Sequence, residues 1–472
     1  MINLSYIKNI HLIGIGGIGM SGIAKILILK GYKVSGSDIS STIITKQLIT
    51  LGININFYHH KNNINNANLV VFSNAINDNN PEILAAKKLN IPTISRVTIL
   101  SLLMENHYNI IISGTHGKTT TTALIYNILK DNNLQPTVIN GGLTQSSKIY
   151  SYLGNSKYFI AESDESNKSF IDLNPTVSVI TNIDNDHLRI YGNLDCLIQT
   201  FINYLNKVPI SSYIVLCIDS SPIRKIYFSI RKNIITYGFS KQADFRITNY
   251  RQYKIYTSFI IKQKNGINIK ISTIIPGYHN ALNITAAIIV ALKEKIKISK
   301  IIRAISEFCG VRRRFSILGE YNINYMNKQI KKIILIDDYG HHPTELKTTI
   351  NTIRIGWPNR RIIMIFQPHR FTRTYDLYNS FIRVLSSIDI TLILTIYSAG
   401  EKPIKNFNSK LLCSSLNQYN KTRSILVLNI NKLISILMSI IKNNDIIITQ
   451  GAGTISNIAT YINKYMIVNQ IN

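Results

Sequence analysis

A short apolar run, a glycine-rich turn and then an apolar helical stretch recur along this chain, and that order leaves few folds open. Ile10–Ile13 leads into the turn Gly14–Gly19, and Ile110–Ser113 leads into Gly114–Thr120. Lys332–Ile336, Arg361–Phe366, Ile388–Thr395 and Asp445–Thr449 read as further strands in the last third. Strands alternating with helical patterns argue an α/β class with parallel sheets. No repeat of ~20–50 residues is visible, which excludes solenoids and propellers. A chain of 472 residues carries a prior of about three domains. New strand-plus-motif starts divide it at 1–107, 108–315 and 316–472. Within the middle block, the stretch from Ile210 to Ile275 alternates apolar and polar residues and reads as a β-rich insertion.

Composition narrows the function classes. Apolar residues make up 45% of the chain, too many for a disordered protein. No apolar run reaches the ~18 residues of a membrane helix. His11–Leu29 comes nearest, but it is glycine-rich, is broken by Lys25 and lacks the flanks of a signal peptide. Cys196, Cys217, Cys309 and Cys413 are far apart with no CxxC pair, which argues against a zinc ribbon or a disulfide scaffold and fits a reducing cytoplasm. The net charge of +29 is the feature that a nucleic-acid-binding reading would explain. The lysines are scattered among Ile, Asn and Tyr rather than packed in blocks, so no nucleic-acid partner and no membrane partner is expected. The excess of cations also suits an anionic small substrate.

Gly14-Ile15-Gly16-Gly17-Ile18-Gly19 follows a strand and opens a helix, with Asp38 after a second strand, Lys33–Ser35. Glycines there let backbone approach a pyrophosphate at a helix N-terminus, where free N–H groups and the dipole favour anions. This motif does not separate NAD from another nucleotide diphosphate and keeps a dehydrogenase reading open. Gly114-Thr115-His116-Gly117-Lys118-Thr119-Thr120 is narrower. Its N–H groups would cradle phosphates, Lys118 would reach the terminal ones, and the Thr119 hydroxyl would hold Mg²⁺. It departs from the standard P-loop, because Ile112 stands where that pattern has glycine.

Downstream, the strand Tyr158–Ala161 ends in Glu162, Asp164 and Glu165, carboxylates suited to Mg²⁺ beside a phosphate loop. Val177–Thr181 leads to Asn182, Asp186 and His187, the last either a metal ligand or a loop residue. Asn280 and Asn283 open the helix Ala281–Leu292 and would either meet an adenine edge or cap the helix. Arg312, Arg313 and Arg314 sit at the second join, where arginines can clamp a transferring phosphoryl group. In the third block, Asp337–Glu345 and Phe366–Thr374 each follow a strand, at the edge where open α/β sheets bind ligands. Arg370 and Arg373 would suit a substrate carboxylate there.

In order along the chain, GIGGIGMSGIA, the Ser73–Glu82 segment, GTHGKTT, AESDES, TNID with its following His187, GYHN, RRF, DDYGHHPTE, FQPHRFTRT and YSAGEKPI resemble the Mur ligases nearly end to end. The resemblance implies three domains: a Rossmann-like N-terminal one for a UDP-sugar, a central P-loop-type ATPase with a β-rich portion, and a Rossmann-like C-terminal one for the incoming amino acid. It implies a cytoplasmic enzyme, monomer or homodimer, that uses ATP and Mg²⁺ to join UDP-N-acetylmuramate and L-alanine through an acyl phosphate. Gly14, Gly16, Gly17, Gly19, Asp38 and Ser73 would then bind the UDP-sugar. Gly114, Thr115, His116, Gly117, Lys118, Thr119 and Thr120 would bind ATP, with Asn280 and Asn283 facing adenine and Arg313 facing the γ-phosphate. Thr119, Glu162 and His187 would hold metal. Tyr339, His341, His369, Arg370 and Arg373 would line the amino-acid side, with the base left open among His341, His342 and His369. Two departures stand out: His59-His60 where the family has Gly-His, and Thr454 and Ile455 where it often has an acid.

Overall fold

The first strand, β1 (Asn9–Ile13), is buried along nearly its whole length, so it belongs inside a sheet covered on both faces. The computed structural model describes residues 3–73, 75–142, 144–145, 150–165, 168–186, 188–264, 266–326, 328–418 and 422–470. β1 lies at the centre of a parallel sheet with β2 (Lys33–Ser37), β3 (Asn54–Asn56), β4 (Leu69–Phe72) and β5 (Thr93–Ser95), in the order β3-β2-β1-β4-β5. The order reverses beside β1, which puts the Gly14 turn in the crevice where such sheets take ligands. The helix Ile18–Leu29 follows that turn. At Gly22 it comes close to Ile139, where an added Cβ would lie 3.2 Å from that side chain.

The second sheet is built on β6 (Tyr108–Ser113), β7 (Thr137–Ile139), β8 (Ser151–Tyr152), β9 (Tyr158–Glu162), β10 (Val177–Ile180), β11 (Ile214–Cys217), β12 (Ile234–Gly238), β13 (Phe245–Tyr253), β14 (Tyr256–Gln263) and β15 (Asn268–Thr273). Its order is β15-β14-β13-β12-β11-β10-β6-β9-β7-β8. β6 is flanked by β10 and β9, both parallel to it, so the loops leaving all three strands emerge at one edge. The expectation of an insertion at Ile210–Ile275 is corrected here. β11 and β12 continue the parallel order, and β13 to β15 extend the same sheet. The alternation seen in the sequence is real: β15 buries every second residue. Its cause is one-sided burial at the sheet's outer end.

The third sheet runs β16-β17-β21-β18-β19-β20, from β16 (Ser316–Tyr325), β17 (Lys328–Asp338), β18 (Ile362–Phe366), β19 (Ile390–Leu394), β20 (Arg423–Val427) and β21 (Ile446–Gln450). β16 and β17 form an antiparallel hairpin, and the remaining pairs are parallel. Its two faces bury separate clusters. Ile336, Leu346, Phe366 and Phe381 pack on one side, and Leu335, Ile365, Leu392 and Leu437 on the other. Each such side chain contributes about 1.5–3 kcal/mol of burial.

By packing, the chain divides into two bodies. The first comprises Met1–Tyr250, Ser258–Thr273 and Asn280–Cys309, and the second Arg251–Thr257, Ile274–His279 and Gly310–Asn472. Among the described residues no helix is long and apolar enough to cross a membrane. All four cysteines are free thiols, Cys217 and Cys413 buried and Cys196 and Cys309 exposed.

Candidate active site

At the end of β1 the chain turns through Gly14, whose φ of +76° is one that glycine adopts without strain. The N–H groups of Gly14 and Ile15 donate to the Ser37 carbonyl at 2.8 and 3.1 Å. The Gly16 N–H donates to Asp38 Oδ2 at 2.8 Å, so Asp38 braces the turn. A Cβ on Gly16 would lie 2.8 Å from that oxygen and 2.9 Å from Thr45, whereas one on Gly17 would meet its nearest neighbour at 3.6 Å. Gly19 faces the Arg96 guanidinium, and Ser73 stands across from Gly14. The UDP-sugar candidates Gly14, Gly16, Gly17, Gly19, Asp38 and Ser73 therefore gather around one turn.

A second turn leaves β6. Gly114 (φ +121°) and Gly117 (φ +82°) take backbone conformations that larger residues adopt only with strain. Thr181 and Asn182, just past β10, hold it. The Asn182 side chain accepts from His116 N at 2.9 Å and donates back to the His116 carbonyl at 2.9 Å. Thr181 Oγ1 donates to the same carbonyl at 2.6 Å. The His116 ring pairs with Asp184 at 3.2 Å. The helix Lys118–Asp131 starts directly behind, so its free N–H groups and the positive end of its dipole point into the turn.

The charges of this turn are already paired. Lys118 Nζ donates to the Gly114 carbonyl at 2.6 Å and to Glu165 Oε2 at 2.8 Å, with Asp164 at 3.7 Å. Burial opposes its charge, but Glu165, Asp164 and Glu162 outweigh burial and hold its pKa above the ordinary lysine value. Thr119 Oγ1 donates to Glu162 Oε2 at 2.8 Å. Thr120 is buried behind them. Asn283 lies against the turn, since a Cβ on Gly117 would come within 2.5 Å of its Oδ1, and that oxygen accepts from Thr121 at 3.2 Å. Asn283 Nδ2 donates to Asn280 Oδ1 at 3.2 Å, and both residues are buried. Asn283 sits well inside the helix Tyr278–Lys293 and does not cap it. His187, the other metal candidate, lies outside the described residues.

The third cluster belongs to the C-terminal sheet. Arg313 donates through Nη2 to the Gly451 carbonyl at 2.7 Å, and its Nε lies 3.5 Å from Asp337. The guanidinium carbons of Arg313 and Arg314 each lie 5.0 Å from the centre of the Tyr339 ring, a cation–π distance. Burial raises the pKa of Asp337, against the lowering influence of Arg313 and Thr449. The rings of His341 and His369 are 5.5 Å apart. His342 has a different job: its Nδ1 accepts the Thr344 N–H at 3.3 Å and caps the helix Pro343–Gly356, in a box completed by Glu345. Arg373 lies 3.3 Å from His369 Nδ1. Arg370 is exposed, has φ +69°, and opens the helix Phe371–Asp376. Tyr339, His341, His369, Arg370 and Arg373 are thus assembled by the ends of β17 and β18. Thr454, noted as a departure, accepts from Gln367 Nε2 at 3.1 Å, which ties the closing Gly-Ala-Gly segment to the end of β18.

Comparison with known proteins fits this arrangement. Residues 9–108 match the Mur ligase family catalytic domain, 112–291 the Mur ligase middle domain, and 323–453 the Mur ligase glutamate ligase domain. The UDP-N-acetylmuramate–L-alanine ligase of Blochmanniella floridana is 49% identical over 460 residues, 97% of this chain and 96% of that protein.

This chain belongs to the Mur ligase family.

Among other Mur ligases, the UDP-N-acetylmuramate–L-alanine ligase of Wigglesworthia glossinidia brevipalpis is 49% identical over 95% of both chains. In structure, the UDP-N-acetylmuramate–alanine ligase MurC of Thermotoga maritima superposes with a TM-score of 0.83 at 28% identity, covering 98% of this chain and all of that one. The three-domain α/β architecture is therefore that of a Mur ligase.

Sequence reasoning missed several side chains of this Mur ligase's clusters. The sequence marks Glu165 only as a metal candidate, yet it is buried and paired with Lys118. Tyr397 was noted only as part of a motif, yet its ring stacks on His369 at 5.5 Å and 20°. Its carbonyl accepts the Arg370 N–H at 2.8 Å, and its N–H donates to the Pro368 carbonyl at 2.8 Å. Glu401 accepts from the Thr372 N–H and hydroxyl at 3.0 and 2.7 Å and so fixes the turn that carries Arg370 and Arg373. The signal for both was the YSAGEKPI segment itself, which carries an aromatic and an acid past a strand end.

Proposed function

We propose that this chain joins L-alanine to UDP-N-acetylmuramate at the expense of ATP, a step of peptidoglycan precursor synthesis. The observation that carries this reading is the Gly114–Thr120 turn: a phosphate cradle at a helix N-terminus, with Lys118 and a Thr119–Glu162 pair built into it. The relatives from Blochmanniella floridana and Wigglesworthia glossinidia brevipalpis, both UDP-N-acetylmuramate–L-alanine ligases, agree with it. The N-terminal part (1–107) would hold the UDP-sugar, the central part (108–315) ATP, and the C-terminal part (316–472) the amino acid.

The turn's N–H groups and Lys118 would bind the phosphates. Asn280 and Asn283, buried beside the turn, support the nucleotide end of this reading. The γ-phosphoryl passes to the muramoyl carboxylate oxygen, ADP leaves, and an acyl phosphate forms. The amine of alanine then attacks the acyl carbon, and a tetrahedral intermediate expels inorganic phosphate. Catalysis of this kind is positioning and charge neutralisation, the share we assign to Lys118 and Arg313. His341, His342 and His369 stay open for orienting the amine or taking its proton: Nδ1 of His342 is engaged as a cap and Nδ1 of His341 with the Tyr339 carbonyl. Mg²⁺ fits the hard oxygen donors of Thr119 and Glu162, with His187 as the further ligand that the family pattern implies. Bound there, it would neutralise phosphate charge. The protein is read as cytoplasmic, and as a monomer or homodimer.

A related ligase that adds a whole tripeptide is the nearest competing reading. Arg370 and Arg373 would fix the free carboxylate of alanine, whereas the first carboxyl of a tripeptide is already an amide and would not offer them that charge-assisted pair. ADP release with each acceptor at matched concentration tests this. Faster turnover with L-alanine is expected, and faster turnover with the tripeptide would overturn the choice of acceptor.

A further inference from the structure

Behind the Gly14 turn lies a carboxylate that no solvent reaches. Glu82, in the first turn of the helix Pro81–Lys88, is fully buried, and its own N–H is capped by Asn80 Oδ1 at 2.9 Å. Its Oε2 accepts from the Ser37 hydroxyl at 2.6 Å, with His59 Nδ1 at 3.4 Å and His11 Nε2 at 3.6 Å. Its Oε1 accepts from the His60 N–H at 3.3 Å and from Asn63 Nδ2 at 2.5 Å. One side chain thus ties β1, the end of β2, the segment after β3 and the short turn of helix at Lys61–Ile64.

The proton inventory fixes the direction of this network. The Ser37 hydroxyl has one proton, and Glu82 takes it. His59 Nδ1, 3.0 Å from Ser37 Oγ, must then donate to that oxygen. Every hydrogen-bonding neighbour of Glu82 is a donor, on both carboxylate oxygens. Burial alone would raise its pKa, but the hydrogen bonds and the charge of His11 bring it to about 2, so it is held as an anion. His59 is one of the departures from the family pattern, and it is placed here as part of the clamp.

Ser37 is also the residue whose carbonyl receives the Gly14 and Ile15 N–H groups, and Asp38 follows it with the bond to Gly16. We infer that Glu82 is a positioning residue for the sugar-nucleotide turn: by clamping Ser37 it sets the conformation of Gly14–Gly16 before any ligand arrives. This rests on the reading that the N-terminal part binds a uridine diphosphate sugar. It adds a residue that touches no ligand and acts through Ser37.

Glu82→Gln is the direct test, because the amide has the same shape but must turn its NH₂ toward donors on one side or the other. The expected result is an increase of about tenfold in KM for UDP-N-acetylmuramate, with the loss falling on KM rather than kcat, and with KM for ATP unmoved. Hydrogen exchange at the Gly14, Ile15 and Gly16 amides should accelerate in the unliganded variant. Ser37→Ala, which deletes only the link, should shift both readouts in the same direction and decides the matter if Glu82→Gln does not fold. Folded variants with wild-type KM and wild-type exchange would overturn the inference, as would equal rises in KM for both nucleotides. If wild-type protein binds no uridine diphosphate sugar, the functional reading fails, and the exchange experiment still decides whether Glu82 holds the turn.

Discussion

Two glycine turns each leave a strand and enter a helix in the first body, and their surroundings differ. The turn at Gly14 is braced by a neutral serine carbonyl and by Asp38; it carries no lysine of its own, and the guanidinium of Arg96 faces it at Gly19. The turn at Gly114 holds Lys118 among Glu165, Asp164 and Glu162, with Thr119 on Glu162. Backbone N–H groups suffice to hold a diphosphate that stays intact. A phosphoryl group in transfer needs charge placed against it, and carboxylates nearby to anchor a cation. Shared glycine chemistry therefore predicts anion binding in both places, and the surrounding side chains decide which anion reacts.

The sharpest break of this contrast is Lys118→Ala. It removes the one cation of the central turn and should cost about a thousandfold in ligation rate, several kcal/mol of barrier. Single-turnover ADP formation measures it, and near wild-type turnover would return the turn to a structural role.

A second difference lies in how each turn responds to acid. Glu82, behind the Gly14 turn, has its pKa depressed from 4.5 to about 2. A depressed carboxylate contributes stability that is full above its unfolded value and is lost as pH falls from about 4.5 toward 2, on the order of 3 kcal/mol. Denaturant melts between pH 6 and pH 3 should show this slope, and Glu82→Gln should flatten it. Equal slopes in both proteins would contradict the assignment.

Within the first turn a finer comparison is available. Gly16→Ala would press a Cβ against Asp38 and Thr45, while Gly17→Ala would meet ordinary contact. The first should weaken sugar-nucleotide affinity about tenfold and cost about 1–3 kcal/mol of stability. The second should stay within about twofold in affinity, as read by calorimetry.

Much of this was legible in the sequence because strand, glycine turn and helix start are local. β1, β6 and β18 lie where apolar runs end in glycine-rich or charged segments, and Lys118 and Thr119 stand, as their place in the motif implies, at the start of the helix behind the Gly114 turn. What stayed hidden is tertiary. Ser37 and Glu82 are 45 residues apart, and nothing near either announces a buried clamp. β16 escaped because only Ser316, Tyr321 and Ile323 of its residues are buried, and its pairing with β17 carries two register shifts that break the alternation. β20 is a short edge strand, only partly buried, and its apolar run Ile425–Leu428 is not followed by a motif that would mark it. The stretch at Ile210–Ile275 reads as a β-rich insertion and is instead a continuation of the central sheet, because alternation reports one-sided burial without saying which sheet a strand joins.

The division of labour between the two turns is tested most directly by a crossed titration. Lys118→Ala and Gly16→Ala are each titrated by calorimetry with UDP-N-acetylmuramate and with ATP. The account predicts that Lys118→Ala binds the sugar nucleotide with wild-type affinity and loses ATP, and that Gly16→Ala keeps ATP affinity and binds the sugar nucleotide about tenfold more weakly. Loss of both ligands in either folded variant, or the opposite pairing, would contradict it.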